Sequence, residues 1–561
     1  MEEPGKNKCL FGIEPMPYFF LFSWFILNII QVSLMELTSD EGYYWFYTQN
    51  LQWGYYDHPP LIAAMIKAGC SLFPGELGVR FFNVVLSTAG LYFFLNLLPN
   101  ELRQSRRTYL VLLAAPLLQY LTFIVFPDGP LLFFTLVFLV IYKRFLSKQD
   151  FLSAIYLGIC LALMAYSKYH GALVLVFTLL ANPKLLRSGY LYLSLLVAAI
   201  FFAPHLWWQY QHDFPTLKYH LSGRTGSISF KHVGEFLSQQ IFAIGPGLIF
   251  VPFIVKTKDV FERTLTFIII GTFLFFLISS FKTFVHFHWT SIALYPILYF
   301  AIAYYNNTSK RKLFNSLVLP FCILFFIARV LLMFPVIPNM HVGEDYYHGR
   351  KKWAEEISSV AGNSPVFMPN NLREASLYSF YSGKTGVALY TRPEKKSQYE
   401  LWGYEDSLQG KNVLFVSKYP FAASAKLSNS LKQNLNYASL PSFSSYYNGL
   451  KITATSIQQL NDSIYIEVEI YNQRSIPLAF DKGPNGETTT LVYSIEKGKN
   501  IIRADILEHI SFGIPPLGSS QRKVAFPINE LAPGNYNVYF GIRSGVLPDA
   551  ILSEGEDIEI K

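Results

Sequence analysis

Charge is what this sequence has least of. Of its 561 residues only 15% are Asp, Glu, Lys or Arg, against about a quarter in soluble domains. The shortage is concentrated in roughly the first 335 residues, where long apolar runs follow one another, so a chain soluble throughout is excluded. Cysteine is nearly absent as well. The four present (Cys9, Cys70, Cys160, Cys322) are far apart and form no CxxC, which argues against a disulfide framework and a cysteine zinc site. Basic residues never line one polar face: the net charge of +8 is spread over short clusters between apolar runs, which argues against nucleic acid as a partner. The first apolar run has no small-residue cleavage site and reads as a retained signal anchor.

What is present is hydrophobic and aromatic, 52% and 17% of the residues. The apolar runs predict about eleven transmembrane helices, near 17–36, 78–98, 108–126, 129–143, 152–167, 170–183, 190–210, 234–256, 264–281, 289–306 and 313–335. Lys6 and Lys8 precede the first span, and basic clusters follow the second, fourth, sixth, eighth and tenth (Arg103/Arg106/Arg107, Lys143/Arg144/Lys148, Lys184/Arg187, Lys256/Lys258/Arg263, Lys310/Arg311/Lys312). The positive-inside rule makes those connections cytoplasmic. The N-terminus is then cytoplasmic, and everything after about residue 338 lies outside.

The tail divides by pattern. Residues 339–445 mix helical patterning (350–360, 419–435) with a strand at 413–417, as in a small α/β domain. Residues 446–561 alternate over 450–455, 463–470 and 536–541 between Gly, Pro and Asn turns, as in a β-sandwich. The fold class expected is therefore a polytopic α-helical membrane protein followed by a periplasmic α/β plus β-sandwich region.

The outward loops hold the chemistry-bearing residues. Asp40-Glu41-Gly42-Tyr43-Tyr44-Trp45 and Tyr55-Tyr56-Asp57-His58-Pro59-Pro60 fall in the first, over 37–77. Later ones carry Pro127-Asp128-Gly129-Pro130, Ser167-Lys168-Tyr169-His170-Gly171, a 211–233 stretch with Arg224, and His286-Phe287-His288-Trp289. Carboxylates set beside lipid are costly and mark a function or a partner.

These runs, with Glu76-Leu77-Gly78-Val79-Arg80, resemble the motifs of bacterial glycosyltransferases of the protein O-mannosyltransferase and lipid A aminoarabinose transferase family, with the GT-C fold. The resemblance covers about residues 15–335; the tail departs from it. It implies a monosaccharide donor on polyprenyl phosphate, undecaprenyl phosphate in a bacterium. Transfer would occur with inversion at the outer face of the inner membrane, to lipid A, another envelope glycan or a protein hydroxyl. The residues suit that chemistry. Asp40, with Glu41 as support or second candidate, is the expected base for an acceptor hydroxyl. An acceptor lipid phosphate would need no base. His58, Lys168, His170 and Arg224 are candidates for the donor phosphate, whose charge grows as it leaves. Tyr43, Trp45 and Tyr55, with Asp57 and Asp128, are candidates for the sugar or acceptor. No cofactor is expected; His286 and His288, with Asp57 or His58, are weak candidates for a divalent metal.

Plainer readings stand beside these. Ser39 and Asp40 are good N-cap types, and Tyr and Trp gather at membrane interfaces anyway. Asp128 suits a turn, Lys168 can snorkel to headgroups, and Arg224 can bind them. A transporter or lipid flippase is the alternative from another class, a scaffold a third. Transporters place polar sites near the midplane in paired repeats; here the midspans are apolar and no internal repeat is visible.

Overall fold

A computed structural model describes residues 15–222, 228–308, 311–337, 340–342, 345–480, 488–498 and 500–560. Arg224 and Cys9 lie outside the described residues. The chain divides into two compact units, residues 1–348 and 349–561.

The first unit is helical. Six helices are long and apolar enough to cross a membrane: Met16–Leu34, Gly75–Leu97, Asp128–Ser147, Gly189–Gln211, Val260–Ser280 and Arg311–Met333. A seventh is reached if Phe230–Ile244 and Pro246–Phe253, bent by 93°, count as one span. The bend falls at Gly245, whose φ of +99° suits glycine, followed by a proline that lacks the amide a continuing helix needs. The expected count of eleven is not reached by this measure. The 108–126 run breaks into Arg106–Leu113 and Pro116–Phe123, and the 289–306 run into a 3-10 turn, Phe287–Ala293, and Leu294–Asn307. Gly171–Ala181 has only 11 residues, about 17 Å at 1.5 Å per residue, short of a hydrocarbon core ~30 Å thick.

The expected loop 37–77 is folded: it carries the helices Ser39–Phe46 and Leu61–Leu72. Asp128–Ser147 is the most enclosed of the six, 56% buried against 11% for Arg311–Met333, so Asp128 begins a helix in the interior of the bundle. Phe151–Ser167 packs along Asp128–Ser147 and Gly189–Gln211. A Cβ on Gly158 would stand 2.5 Å from the Ser194 carbonyl oxygen, so the close approach of those two backbones requires glycine there.

The second unit holds two β-structures. Strands β1 (Val366–Phe367), β2 (Gly386–Val387), β3 (Val413–Ser417), β4 (Ala425–Leu427) and β5 (Leu435–Leu440) order as β2-β1-β3-β5-β4. The first three are mutually parallel and β5 runs antiparallel to β3 and β4. Helices Arg350–Ala361 and Leu372–Ser382 accompany them. The helix expected over 419–435 does not form: Ala423 and Lys432 take positive φ, and the Asn429 side chain bonds Leu427 O, Gln433 O and Gln433 N as a turn.

Beyond lie β6 (Leu450–Leu460), β7 (Ser463–Asn472), β8 (Thr489–Lys497), β9 (Asn500–Ile510), β10 (Ser519–Pro527), β11 (Gly534–Ser544), β12 (Ala550–Ile551) and β13 (Glu556–Ile560). They form one sheet β10-β7-β6 and another β9-β8-β11-β12, with β13 on β11. Glu405 ties the two parts of this unit together, accepting from Tyr447 N at 2.6 Å, Ser445 Oγ at 2.7 Å and Arg474 Nη2 at 3.1 Å. Burial pushes its carboxyl above the usual range.

Candidate functional site

The Ser39–Phe46 helix opens with a capping box. Thr38 donates through its amide and hydroxyl to Glu41 Oε2, at 2.9 and 3.0 Å. Both Glu41 oxygens also take Arg80, Nε at 2.7 Å and Nη2 at 2.6 Å, and Oε1 accepts from Val125 N at 2.9 Å. Arg80 spends its other donors on Met35 O at 2.6 Å and Glu36 O at 2.9 Å. Both side chains are fully buried. This pair joins the end of the first helix, the short helix, the Gly75–Leu97 helix and the turn before Asp128. Glu41 is thus a structural carboxylate with its acceptor capacity taken up. Asp40, beside it, is half-buried. Its charge acts on Tyr120 together with those of Asp345 and Glu41.

The second segment, at 55–58, leans on the same helix. Tyr47 donates its hydroxyl to Asp57. Burial, then the Asp57 charge and Tyr43, hold that hydroxyl well above its ordinary pKa, so it keeps its proton and stays a donor. Tyr55 stacks on Tyr47 at 4.2 Å and is wholly buried; Tyr43 is 3% exposed. Trp45 is half-buried. His58 lies 3.9 Å from Asp57, with 17% of each side chain exposed, and meets the edge of Tyr44.

The third group surrounds the start of the Asp128–Ser147 helix, where a carboxylate is favoured by the helix dipole. Asn83 donates to Leu121 O, Thr122 O and Ile124 O, capping the preceding helix. A Cβ on Gly129 would sit 2.4 Å from Asn83 Oδ1, so this turn admits only glycine beside Asp128. Lys168, at the C-terminal end of Phe151–Ser167, donates to Asp128 Oδ2 at 2.8 Å, and its ammonium lies 5.3 Å from the Trp289 ring centre. His288 Nε2 is 3.8 Å from the same oxygen. Its ring stacks on Phe126 at 4.6 Å and on His286 at 5.5 Å. Burial, then Lys168, His286 and His58, push the His288 imidazole well below its ordinary pKa. His288 is therefore neutral near pH 7, and Lys168 carries the positive charge. His170 packs against Trp289 at 5.5 Å.

Beside this group opens a cleft of about 650 Å³. Phe214, Leu217, Phe275 and Phe276 supply apolar wall; Tyr169, His170, His205, Gln209 and Trp289 line it too.

The structure thus gathers Asp57, His58, Asp128, Lys168, His170, His286 and His288 from four separate segments. Asp40, Tyr43 and Trp45 share the short helix next to them, while Glu41 and Tyr55 are packed into the fold. Among the described residues, no group of three or more His, Cys, Asp and Glu is placed to hold a metal ion. Three contributors had no sequence signal of a role: Tyr47, His205 and Gln209. Arg80 sits in a quoted motif, but its partner is 39 residues away.

The fold is that of the GT-C class of multi-pass membrane glycosyltransferases. ArnT from Cupriavidus metallidurans, in the apo state, superposes with a TM-score of 0.54 at 13% identity, covering 75% of this chain and 97% of that one. The same protein bound to undecaprenyl phosphate gives 0.54 at 12%, over the same shares. More particularly, the family model for dolichyl-phosphate-mannose-protein mannosyltransferase matches residues 57–208. That stretch runs from Asp57 through His58, Arg80, Asp128, Lys168 and His170 to His205. A lipid A galacturonosyltransferase of Rhizobium johnstonii, RgtD, is 25% identical over 244 residues, 41% of this chain and 51% of that protein. The chain spans about half the length of this curated relative. The resemblance carried by the motifs is borne out.

Proposed function

We propose that this protein transfers a monosaccharide from a polyprenyl-phosphate carrier to an acceptor at the outer face of the bacterial inner membrane. The N-terminus is cytoplasmic, and residues 339–445 and 446–561 form two periplasmic domains. Lipid A, another envelope glycan or a protein hydroxyl is the acceptor. The observation that supports it most is the meeting of Lys168, His58 and the Asp128–His288 pair beside a cleft with large apolar walls. An anionic group on an apolar chain suits that combination: the chain lies on the apolar wall and the phosphate meets the cations.

In this reading the bond from the anomeric carbon to the phosphate oxygen breaks as the acceptor oxygen attacks from the opposite face. Asp40 takes the acceptor proton. Lys168 and His58, with His170 behind them, face the negative charge that collects on the leaving phosphate; Arg224 is a further candidate. Asp128 positions the Lys168 ammonium instead of touching the sugar. Asp57, held by Tyr47, and the ring of Trp45 orient the sugar or acceptor. Glu41 positions Asp40 through the short helix, and Tyr43 and Tyr55 pack that helix. No resident cofactor takes part.

The experiment is donor consumption by the purified full chain in nanodiscs, with a panel of undecaprenyl-phosphate monosaccharides, with and without chelator. The expected result is that at least one donor is consumed, equally under both conditions. No consumption, with the protein moving lipid or solute across liposomes, would overturn it in favour of transport.

A further inference from the structure

One polar side chain in the cleft is left with an obligation. Gln209 is 5% exposed and lies in the last turn of the Gly189–Gln211 helix, and its surroundings fix which way its amide points. His205 Nδ1 is 2.6 Å from the Trp53 carbonyl oxygen, which only accepts, so Nδ1 carries the proton and Nε2 is the acceptor of a neutral ring. Tyr169 lies 2.7 Å from that Nε2 and must donate to it. Burial, the largest influence, raises the Tyr169 hydroxyl to about 12, so its proton is present. The Tyr169 oxygen is then free to accept, and Gln209 Nε2 stands 3.3 Å away. On the other side Thr216 donates to the Tyr55 carbonyl at 2.9 Å and accepts from Gln209 Nε2 at 2.6 Å.

Donation therefore runs outward from Gln209 on both sides, through Thr216 to the Tyr55 carbonyl and through Tyr169 and His205 to that of Trp53. Both amide hydrogens of Gln209 are committed to protein, and a flipped amide would break the bond at Thr216 or at Tyr169. Its carbonyl, Oε1, is left buried without a hydrogen-bond partner at a wall of the cleft. A buried acceptor left unpaired costs about 1–3 kcal/mol.

We infer that Gln209 is a specificity-determining residue whose Oε1 accepts a hydroxyl or amino hydrogen of the sugar on the donor. Neither a prenyl chain nor an ionised phosphate has a hydrogen to offer, so the carbonyl reads the part of the donor that differs between sugars. The inference rests on the proposed donor class. Trp289 and His170, next to Lys168, line the same cleft, which sets the sugar between the phosphate cations and Gln209.

The test measures binding to the full chain in nanodiscs, with transfer followed in parallel. The probes are short prenyl-phosphate glycosides of a hexose, a hexuronate and a pentose, their singly deoxygenated counterparts, and bare prenyl phosphate. Removing one particular hydroxyl should weaken binding to the wild type about 5- to 100-fold, the weight of one buried hydrogen bond. In Gln209→Met the same removal should cost less than about threefold, while bare prenyl phosphate binds both proteins equally and reports that the variant is folded. An identical ranking of the deoxygenated probes in both proteins would overturn the inference, as would glycosides that bind the wild type no better than bare prenyl phosphate. Should the Met variant not fold, Gln209→Glu, which keeps an acceptor oxygen, should retain the discrimination; its loss there, with bare prenyl phosphate still bound, would also overturn it. Discrimination without any transfer counts against glycosyl transfer alone.

Discussion

Two buried carboxylate–cation pairs in the first unit have the same chemistry and opposite surroundings. At Glu41–Arg80, five donor contacts of 3.0 Å or less reach the two carboxylate oxygens. At Asp128–Lys168, one short bond is accompanied by Ser291 at 3.5 Å and His288 at 3.8 Å. The first pair is closed on itself and serves the fold. In the second the carboxylate takes one short contact, and Lys168 adjoins His170 and Trp289, which line the cleft.

Breaking the closed pair should have the largest effect. Arg80→Ala leaves Glu41 buried and unpaired, which costs about 3–5 kcal/mol; thermal unfolding of the purified protein should show the loss, with transfer lost only in proportion to folded protein. Lys168→Met should act chiefly on turnover. It leaves Asp128 buried without its short bond, so some stability is lost here too, but per folded molecule kcat should fall by about 100-fold or more, the order found when one charge-stabilising group is removed.

His288 is held below its ordinary pKa in the fold, so the unfolded chain binds the extra proton. The stability it supports is present above about pH 6.5 and is lost as pH falls towards the folded value, with a slope up to about 1.4 kcal/mol per pH unit. Unfolding of His288→Asn followed from pH 7 down to 5 should show a shallower fall; an unchanged slope would place the titration elsewhere. The smallest effect is expected at Asp57→Asn, about tenfold in kcat/KM as one charge-assisted hydrogen bond is weakened, with Tyr47 still in place.

The apolar runs made the membrane class and the order of the outward segments legible, because hydrophobicity is a local property of sequence. Span boundaries were not, since Pro116 and the Gly245-Pro246 step cut runs that composition reads as continuous. The gathering of Asp57, His58, Asp128, Lys168 and His288 was foreshadowed only by residue type near span ends. Glu41 and Asp40 look equivalent as neighbours. What separates them is Arg80 and the Val125 amide, 39 and 84 residues away. Gln209 gave no signal, because its role depends on hydrogen bonds that reach three other segments, at 53–55, Tyr169 and Thr216. In the tail, alternation located the strands at 413–417 and 463–470, whereas 419–435 has helical spacing but turn-forming Asn429.

Of the adjacent carboxylates, Glu41 is held by Arg80 and the Val125 amide, which leaves Asp40 as the proposed base. The most direct test is the transfer rate of Asp40→Asn per folded molecule, on whichever undecaprenyl-phosphate sugar the wild type consumes. We predict a fall of about 100-fold or more, as for the loss of a general base, at an unchanged melting temperature. A wild-type rate in the folded variant would contradict it and remove Asp40 from the chemistry.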